Sequence, residues 1–309
     1  MKDEKKERFP ACVPLPYRAF ALTRKALRQA AVRQSEAAAR RRPPSNVLED
    51  GEAQWTPRTE ANLRYAPAAV NKSAFWIDED LARPDVAHAA QAIESTKQKM
   101  KSSGLLYTNT AATFLGRMFV PRSERTKAWE NAWVIVHSGV KTGQRVLDIG
   151  GASTPFSFHL ADRGCGVSVL DNDWGNCGTI YNANHAARRM GWKLNAVDAD
   201  AGRRFPFADA SFDRVFSICT IEHMPSDVRR GMMREVGRVL APGGIAGITF
   251  CYDPNHRVLT VDKGLRFGYR RKFMADVVEP SGLGIHGNTE LVDFAEEPGF
   301  LGAVFLAKK

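Results

Sequence analysis

The sequence predicts an α/β protein: a mostly parallel sheet covered by helices on both faces, closed by a C-terminal antiparallel hairpin and preceded by a helical extension. Three observations predict it. From Lys141 onward, short β-branched runs alternate with helical stretches at the spacing of strand–helix–strand units. After Phe250 the alternation stops, and two strand-like runs flank Glu296-Glu297-Pro298-Gly299. Before Lys141 the periodicity is helical.

In chain order, Tyr17 to Arg42 is rich in Ala, Arg, Leu and Gln, strong helix formers, and Pro43-Pro44 stops it. From Pro44 to about Ala69 the chain is polar and broken by Pro, Gly and Asn, which reads as a linker or irregular arm. Trp55, Tyr65, Phe75 and Trp76 suggest that it is pinned, since aromatics are rare in free linkers. Pro84 to about Ser103 is a helix with Pro near its start and Gly104 beyond its end. Ser123 to His137 is another, with Trp129, Trp133 and Val136 on one face.

Strands are then expected at Arg145 to Ile149, Gly166 to Asp171, Lys193 to Asp198, Asp213 to Ile218 and Ile245 to Phe250. Between them lie helices at Pro155 to Asp162, up to about Met190, and at Ser226 to Leu240, the last stopped by Pro242-Gly243-Gly244. A helix near Arg270 to Glu279 and strand-like runs near Ile285 to Phe294 and Gly299 to Lys308 complete the chain. Residues 1–68 read as a basic tail and linker, 69–140 as a helical extension or lid, and 141–309 as the α/β domain.

The chain has 309 residues with 44 Lys+Arg against 34 Asp+Glu, and the distribution of that charge decides its meaning. Residues 1–42 hold 12 Lys/Arg and 4 Asp/Glu, while residues 43–309 balance at +2. The basic character belongs to the tail, and the rest gives no global sign of nucleic-acid binding. No apolar run approaches the ~18 residues of a membrane span. The charged start is not followed by the apolar stretch of a secretory signal. Five cysteines at wide spacing without a CxxC argue against zinc or a disulfide framework, and a reducing cytoplasm fits best.

Chemistry concentrates where strands end. Val146-Leu147-Asp148-Ile149-Gly150-Gly151-Ala152-Ser153-Thr154 runs from the first strand of the alternating region into a helix. Its small residues allow close backbone approach, and a helix N-terminus favours a carboxylate. Asp171 ends the next strand, where an acid can accept hydrogen bonds from ribose hydroxyls. Asp198 ends the third, where a carboxylate can accept from an adenine amino group. An Asp capping the following helix explains any one of these acids better than it explains all three.

The region from about Gln144 to Phe250, which carries these residues, resembles a class I S-adenosylmethionine-dependent methyltransferase. Val146-Leu147-Asp148-Ile149-Gly150 matches the family's first motif. Phe205-Pro206-Phe207-Ala208-Asp209-Ala210-Ser211-Phe212-Asp213-Arg214-Val215 matches its "LPF-x-D-x-SFD-x-V" segment. Ile221-Glu222-His223-Met224 matches a Leu-Glu-His stretch, and Arg234 to Gly244 matches "E-x-x-R-V-L-K-P-G-G". The run of four in order is specific, although each alone is modest. The chain departs from the usual D-x-G-x-G-x-G loop, since Ala152 and Thr154 stand where the family has its second and third glycines.

The resemblance implies a Rossmann-like, seven-stranded, mostly parallel sheet and S-adenosyl-L-methionine as cofactor. It implies that Asp148, Gly150, Gly151 and Ala152 hold the methionine end, and that Asp171 with Asn172 holds the ribose. Asp198 and the Ala199 amide would read the adenine, and Ser217 would border the sulfonium. Trp129 and Asn131 would close the pocket. His223 is the expected general base, its titration near neutrality suiting the role, and Glu222 is a second catalytic candidate. No metal is expected. The expected acceptor is a small molecule or a saccharide- or lipid-type compound. A loop from Tyr252 to Arg271 would line the acceptor side.

Three alternatives differ in class. A nicotinamide dehydrogenase would need G-x-G-x-x-G, but Gly150, Ala152 and Pro155 occupy those places. An RNA or protein methyltransferase would use the basic tail for its partner; nucleic acid is not favoured, because Ser217-Ile218-Cys219-Thr220 is no Asn/Asp-Pro-Pro-aromatic motif. A non-catalytic cofactor-binding homologue would keep the acids without turnover. The sequence is silent on oligomeric state.

Overall fold

The computed structural model describes residues 74–75, 78–105, 107, 124–172, 178–251, 273–287 and 301–309. The tail helix, the arm, the Tyr252 to Arg271 loop and most of the expected Ile285 to Phe294 strand lie outside these residues, as does Trp76.

Two long helices come first. α1, Pro84–Ser102, has Pro at its first turn and buries Val86, Ala89, Ile93, Thr96 and Met100, the three-and-four spacing of one helical face. α2, Glu124–Ser138, follows. The alternating region then gives β2 (Arg145–Ile149), α3 (Pro155–Asp162), β3 (Gly166–Asp171), α4 (Thr179–Met190), β4 (Leu194–Asp198), β5 (Phe212–Ile218), α5 (Ser226–Val239) and β6 (Leu240–Cys251). A π-helical turn at Met274–Val278 runs into the short helix α6, Glu279–Ser281, where a plain helix was expected. Two short strands, β1 (Ala74–Phe75) and β7 (Gly284–Ile285), and the long β8 (Leu301–Ala307) complete the sheet.

The strand order is β1-β8-β6-β5-β2-β3-β4, with β7 also on β8. β4, β3, β2, β5 and β6 are parallel, and β8 is antiparallel to β6, β1 and β7. The expected seven-stranded path is therefore present, and the expected C-terminal antiparallel pair is β7 with β8. The seventh strand on the path comes from the N-terminal side, as β1 pairs Ala74 with Ala303.

Strand alternation divides the core into two layers. Val146, Val167, Val169, Phe216 and Phe305 pack under α1 to α4, with Trp129, Trp133 and Phe158. Leu147, Leu170, Val215, Ile248 and Leu306 pack under α5 and the π turn, with Met232, Val236 and Phe273. Strands buried on both faces read as near-continuous apolar runs, which is how they appear in the sequence. β3 and β5 leave β2 on opposite sides, so the strand order reverses at β2. A crevice beyond the carboxyl ends of β2 and β5 is where such sheets bind ligands.

Candidate active site

β2 delivers Asp148 to that crevice, and the turn after it is built from close contacts. Gly150 has φ +80, a conformation glycine adopts without penalty, and a Cβ there would fall 2.5 Å from the Thr220 side chain. A Cβ on Gly151 would overlap the Asp148 carboxylate. In this structure the two glycines thus make room for the chain's own Thr220 and Asp148. Thr154 caps α3, its Oγ1 accepting from the Ser157 amide at 3.3 Å, and Pro155 occupies the first turn. Of the two departures from the glycine pattern, Thr154 is therefore a helix-start device.

Asp148 is 1 % exposed. Its Oδ2 accepts the Ser157 hydroxyl, while its Oδ1 meets no donor among the described residues. Burial pushes its carboxyl up to about 7; the Ser157 hydroxyl opposes this and the Asp171 charge adds to it. Asp171 is buried and accepts the Ala152 amide at 3.1 Å and the Asn172 amide at 2.7 Å. The loop therefore closes onto the tip of β3. Asn172 and Asp198 are exposed, and Asp198 stands in register with Asp171. The three acids end three adjacent strands, as expected.

Other expected residues fall elsewhere. The Ala199 amide donates to the Asp171 carbonyl at 2.9 Å, so it is not open to an adenine here. Ser217 is fully buried, and strand alternation puts it on the α5 side with Val215. Trp129 does not close the crevice: it lies in the core, donating to Asp80 at 2.8 Å and stacked 5.3 Å from Trp133. An amphipathic face carries Trp as core before it carries it as a lid. Asn131 is partly buried. The backbone of His223 closes a 3-10 turn, Ile221–His223; its side chain lies outside what the structure describes.

Glu222 is fully buried, and its Oε1 accepts the Cys219 thiol at 2.8 Å. It belongs to a polar chain that the sequence reading otherwise missed. The Cys219 amide donates to Thr249 Oγ1 at 2.9 Å, and that hydroxyl donates to Glu130 Oε1 at 3.0 Å. Glu130 Oε2 lies 2.7 Å from Lys127 Nζ. Desolvation works to lower the Lys127 ammonium, but Glu130, Cys219 and Glu222 together hold it well above its usual range. One sequence signal was available: Glu130 stands next to Trp129 of the apolar face, three residues from Lys127. Glu222 also acts electrostatically on Arg229, which is 1 % exposed and 3.6 Å from the buried Asp276.

A groove of about 630 Å³ opens at the other end of the sheet, between Arg145, Trp192, Lys193 and Phe207 at the amino ends of β2 to β4. It is remote from the acids. Among the described residues no three His, Cys, Asp or Glu side chains gather as a metal site, and no helix is long and apolar enough to cross a membrane.

Residues 146–244 match a family of methyltransferase domains. The chain is 32 % identical over 151 residues to the sterol 24-C-methyltransferase of Eremothecium gossypii, covering 45 % of this chain and 39 % of that protein. It is 30 % identical over 126 residues to the O-methyltransferase resE of Aspergillus sclerotiorum, covering 38 % of this chain and 45 % of that protein. The chain thus spans less than half the length of these curated relatives. Among solved structures, a TehB-like S-adenosylmethionine-dependent methyltransferase from Corynebacterium glutamicum superposes with a TM-score of 0.44 at 18 % identity, over 72 % of this chain and 99 % of that one. The matched segment runs from β2 to the start of β6 and contains the four motif runs, the glycine turn and the strand-tip acids. Over residues 146–244 the chain is therefore similar to a methyltransferase domain, the segment that carries the four motif runs.

Proposed function

We propose that this protein is an S-adenosylmethionine-dependent methyltransferase acting on a small molecule or a saccharide- or lipid-type acceptor. One observation carries the reading: Asp148, Asp171 and Asp198 end three adjacent parallel strands beside a glycine turn, where the strand order reverses. The sterol and O-methyltransferase relatives support an acceptor of that size.

The residues present fit the cofactor. A fully buried carboxylate oxygen without a donor among the described residues, Asp148 Oδ1, suits an ammonium group. Asp171 and Asn172 would take the ribose, and Asp198 the adenine edge. When bound, S-adenosylmethionine supplies a methyl group already activated by its sulfonium, so the protein's task is positioning for in-line displacement. Glu222 is too buried to touch an acceptor, which leaves His223 as the base where the acceptor keeps its proton at neutral pH. The expected setting is cytoplasmic.

Calorimetry tests the reading. S-adenosylmethionine and S-adenosylhomocysteine should both bind, at millimolar or tighter affinity; no heat with either removes the proposal. A labelled-methyl screen over small-molecule and lipid acceptors would then identify the substrate. The same assay on His223→Ala decides the base, since unchanged turnover takes His223 out of the step.

A further inference from the structure

The polar chain at the end of β5 is built at some cost. Glu130 and Glu222 are both fully buried, and Glu222 Oε2 accepts no hydrogen bond among the described residues. Burying a carboxylate without full compensation is unfavourable. Cys219 has φ +54, which non-glycine residues seldom adopt, and such strain persists only where the surroundings fix it. Here the Cys219 amide is held by the Thr249 hydroxyl and carbonyl, at 2.9 and 3.3 Å, and its thiol by Glu222. Thr220, the next residue, stands against Gly150. The buried carboxylate is thereby fixed two residues from the contact that joins β5 to the glycine turn.

The donor of the proposed reaction is a cation at sulfur, while its demethylated product is a neutral thioether. A fixed carboxylate in a weakly screened setting attracts the first and is indifferent to the second. We propose that Glu222, held by Cys219 and flanked by the Lys127–Glu130–Thr249 chain, is a specificity-determining residue that makes the crevice favour the cationic donor over the neutral product. This rests on the methyltransferase reading. Among the described residues, Lys127 and Arg229 are cations on which Glu222 acts, and they set how strongly its charge is felt. A helix of the N-terminal extension, α2, thereby takes part in cofactor selectivity. Product release follows from the same arrangement, since transfer of the methyl group removes the charge that Glu222 attracts.

The test is calorimetry on the full chain with S-adenosylmethionine and S-adenosylhomocysteine separately. Glu222→Gln keeps shape and removes charge; it should weaken the donor at least fivefold and leave the product within twofold. Lys127→Met removes a partly exposed cation and should shift the donor-to-product ratio the opposite way, by at least twofold. A ratio unchanged within twofold in Glu222→Gln, or equal weakening of both ligands, overturns the inference. If Glu222→Gln fails to melt cooperatively, Lys127→Met decides alone, and an unchanged ratio there overturns it. Absence of heat with both ligands in the wild-type chain sinks the methyltransferase reading as well, which distinguishes the two failures.

Discussion

Asp148 stands one residue before the end of β2, with one carboxylate oxygen on the Ser157 hydroxyl and the other without a donor among the described residues. Its carboxyl titrates at about 7 in the folded chain, against an ordinary 3.8. Between those values the folded chain holds a proton that the unfolded chain has released. Stability therefore falls as pH rises through that window, and the full cost, ~4 kcal/mol, stands above pH 7. Asp148→Asn removes the charge and can still accept from Ser157. It should raise stability, by about 3 kcal/mol more at pH 8 than at pH 5, read from denaturant midpoints at the two pH values. The same variant should bind S-adenosylmethionine at least tenfold more weakly, because the ammonium loses its partner. A variant that is no more stable at pH 8 would show that Asp148 is not charged and strained there. Stability given up at a binding residue is a common trade. The sequence showed the acid and its place at the strand tip, but not its titration, which depends on Ser157 and Asp171 brought close by the fold.

At the scale of elements, the motif segments turn out to join pieces of structure. Arg238 of α5 donates to the Phe207 carbonyl at 2.8 Å and the Phe205 carbonyl at 3.2 Å, and pairs with Asp209 and Glu235. Glu235 in turn accepts the Phe205 amide at 2.8 Å. Two runs far apart in sequence are thus one clamp in space, which is why they were legible together. α1 is docked differently, through Thr96 Oγ1, 3.0 Å from His159 Nδ1 of α3 in a buried contact. Burial pulls the His159 imidazole down to about 4, with Arg163 adding to the shift and Asp162 opposing it. The unfolded chain takes up this proton between about pH 6.5 and 4 and the folded chain does not, so stability is lost as pH falls through that window. This slope opposes that of Asp148, and the two partly cancel in the wild type. In an Asp148→Asn background the acid sensitivity should become visible, and His159→Gln, which can still reach Thr96, should flatten it by about 2 kcal/mol between pH 7 and 4. Denaturant midpoints across that range decide it; equal slopes with and without His159 would remove the histidine from the account. The pairing of this histidine with Thr96 had no signal in the sequence, since nothing local links the two positions.

Over the whole molecule, what alternates locally was legible and what meets across the sheet was not. β2 to β6 follow from apolar runs and turn residues, and their ends agree with the reading to within a residue or two, except that β6 begins at Leu240, directly out of α5. That β1 would join β8 had no signal, because a two-residue strand has no period and its partner lies at the other end of the chain. The sequence marks a change of texture near residue 140, yet packing runs across it. Trp129, Trp133 and Val134 of α2 share a core layer with Phe216 and Phe305 of the sheet, and Val86, Ile93 and Met100 of α1 belong to the same layer. Uncovering a fully buried Phe or Trp costs about 3 kcal/mol or more, and net stability is only about 5–15 kcal/mol. A few such residues on the α2-facing layer are enough to cancel it. A chain beginning at residue 141 should therefore show no cooperative melt and no S-adenosylmethionine binding, although it contains every recognised motif. The milder Trp133→Ala should remain folded but lose roughly 3–5 kcal/mol by denaturant midpoint. Cooperative unfolding of the shortened chain, with cofactor affinity intact, would mean that α1 and α2 are a separable cover, and that the charge relay through Lys127 and Glu130 is dispensable with them.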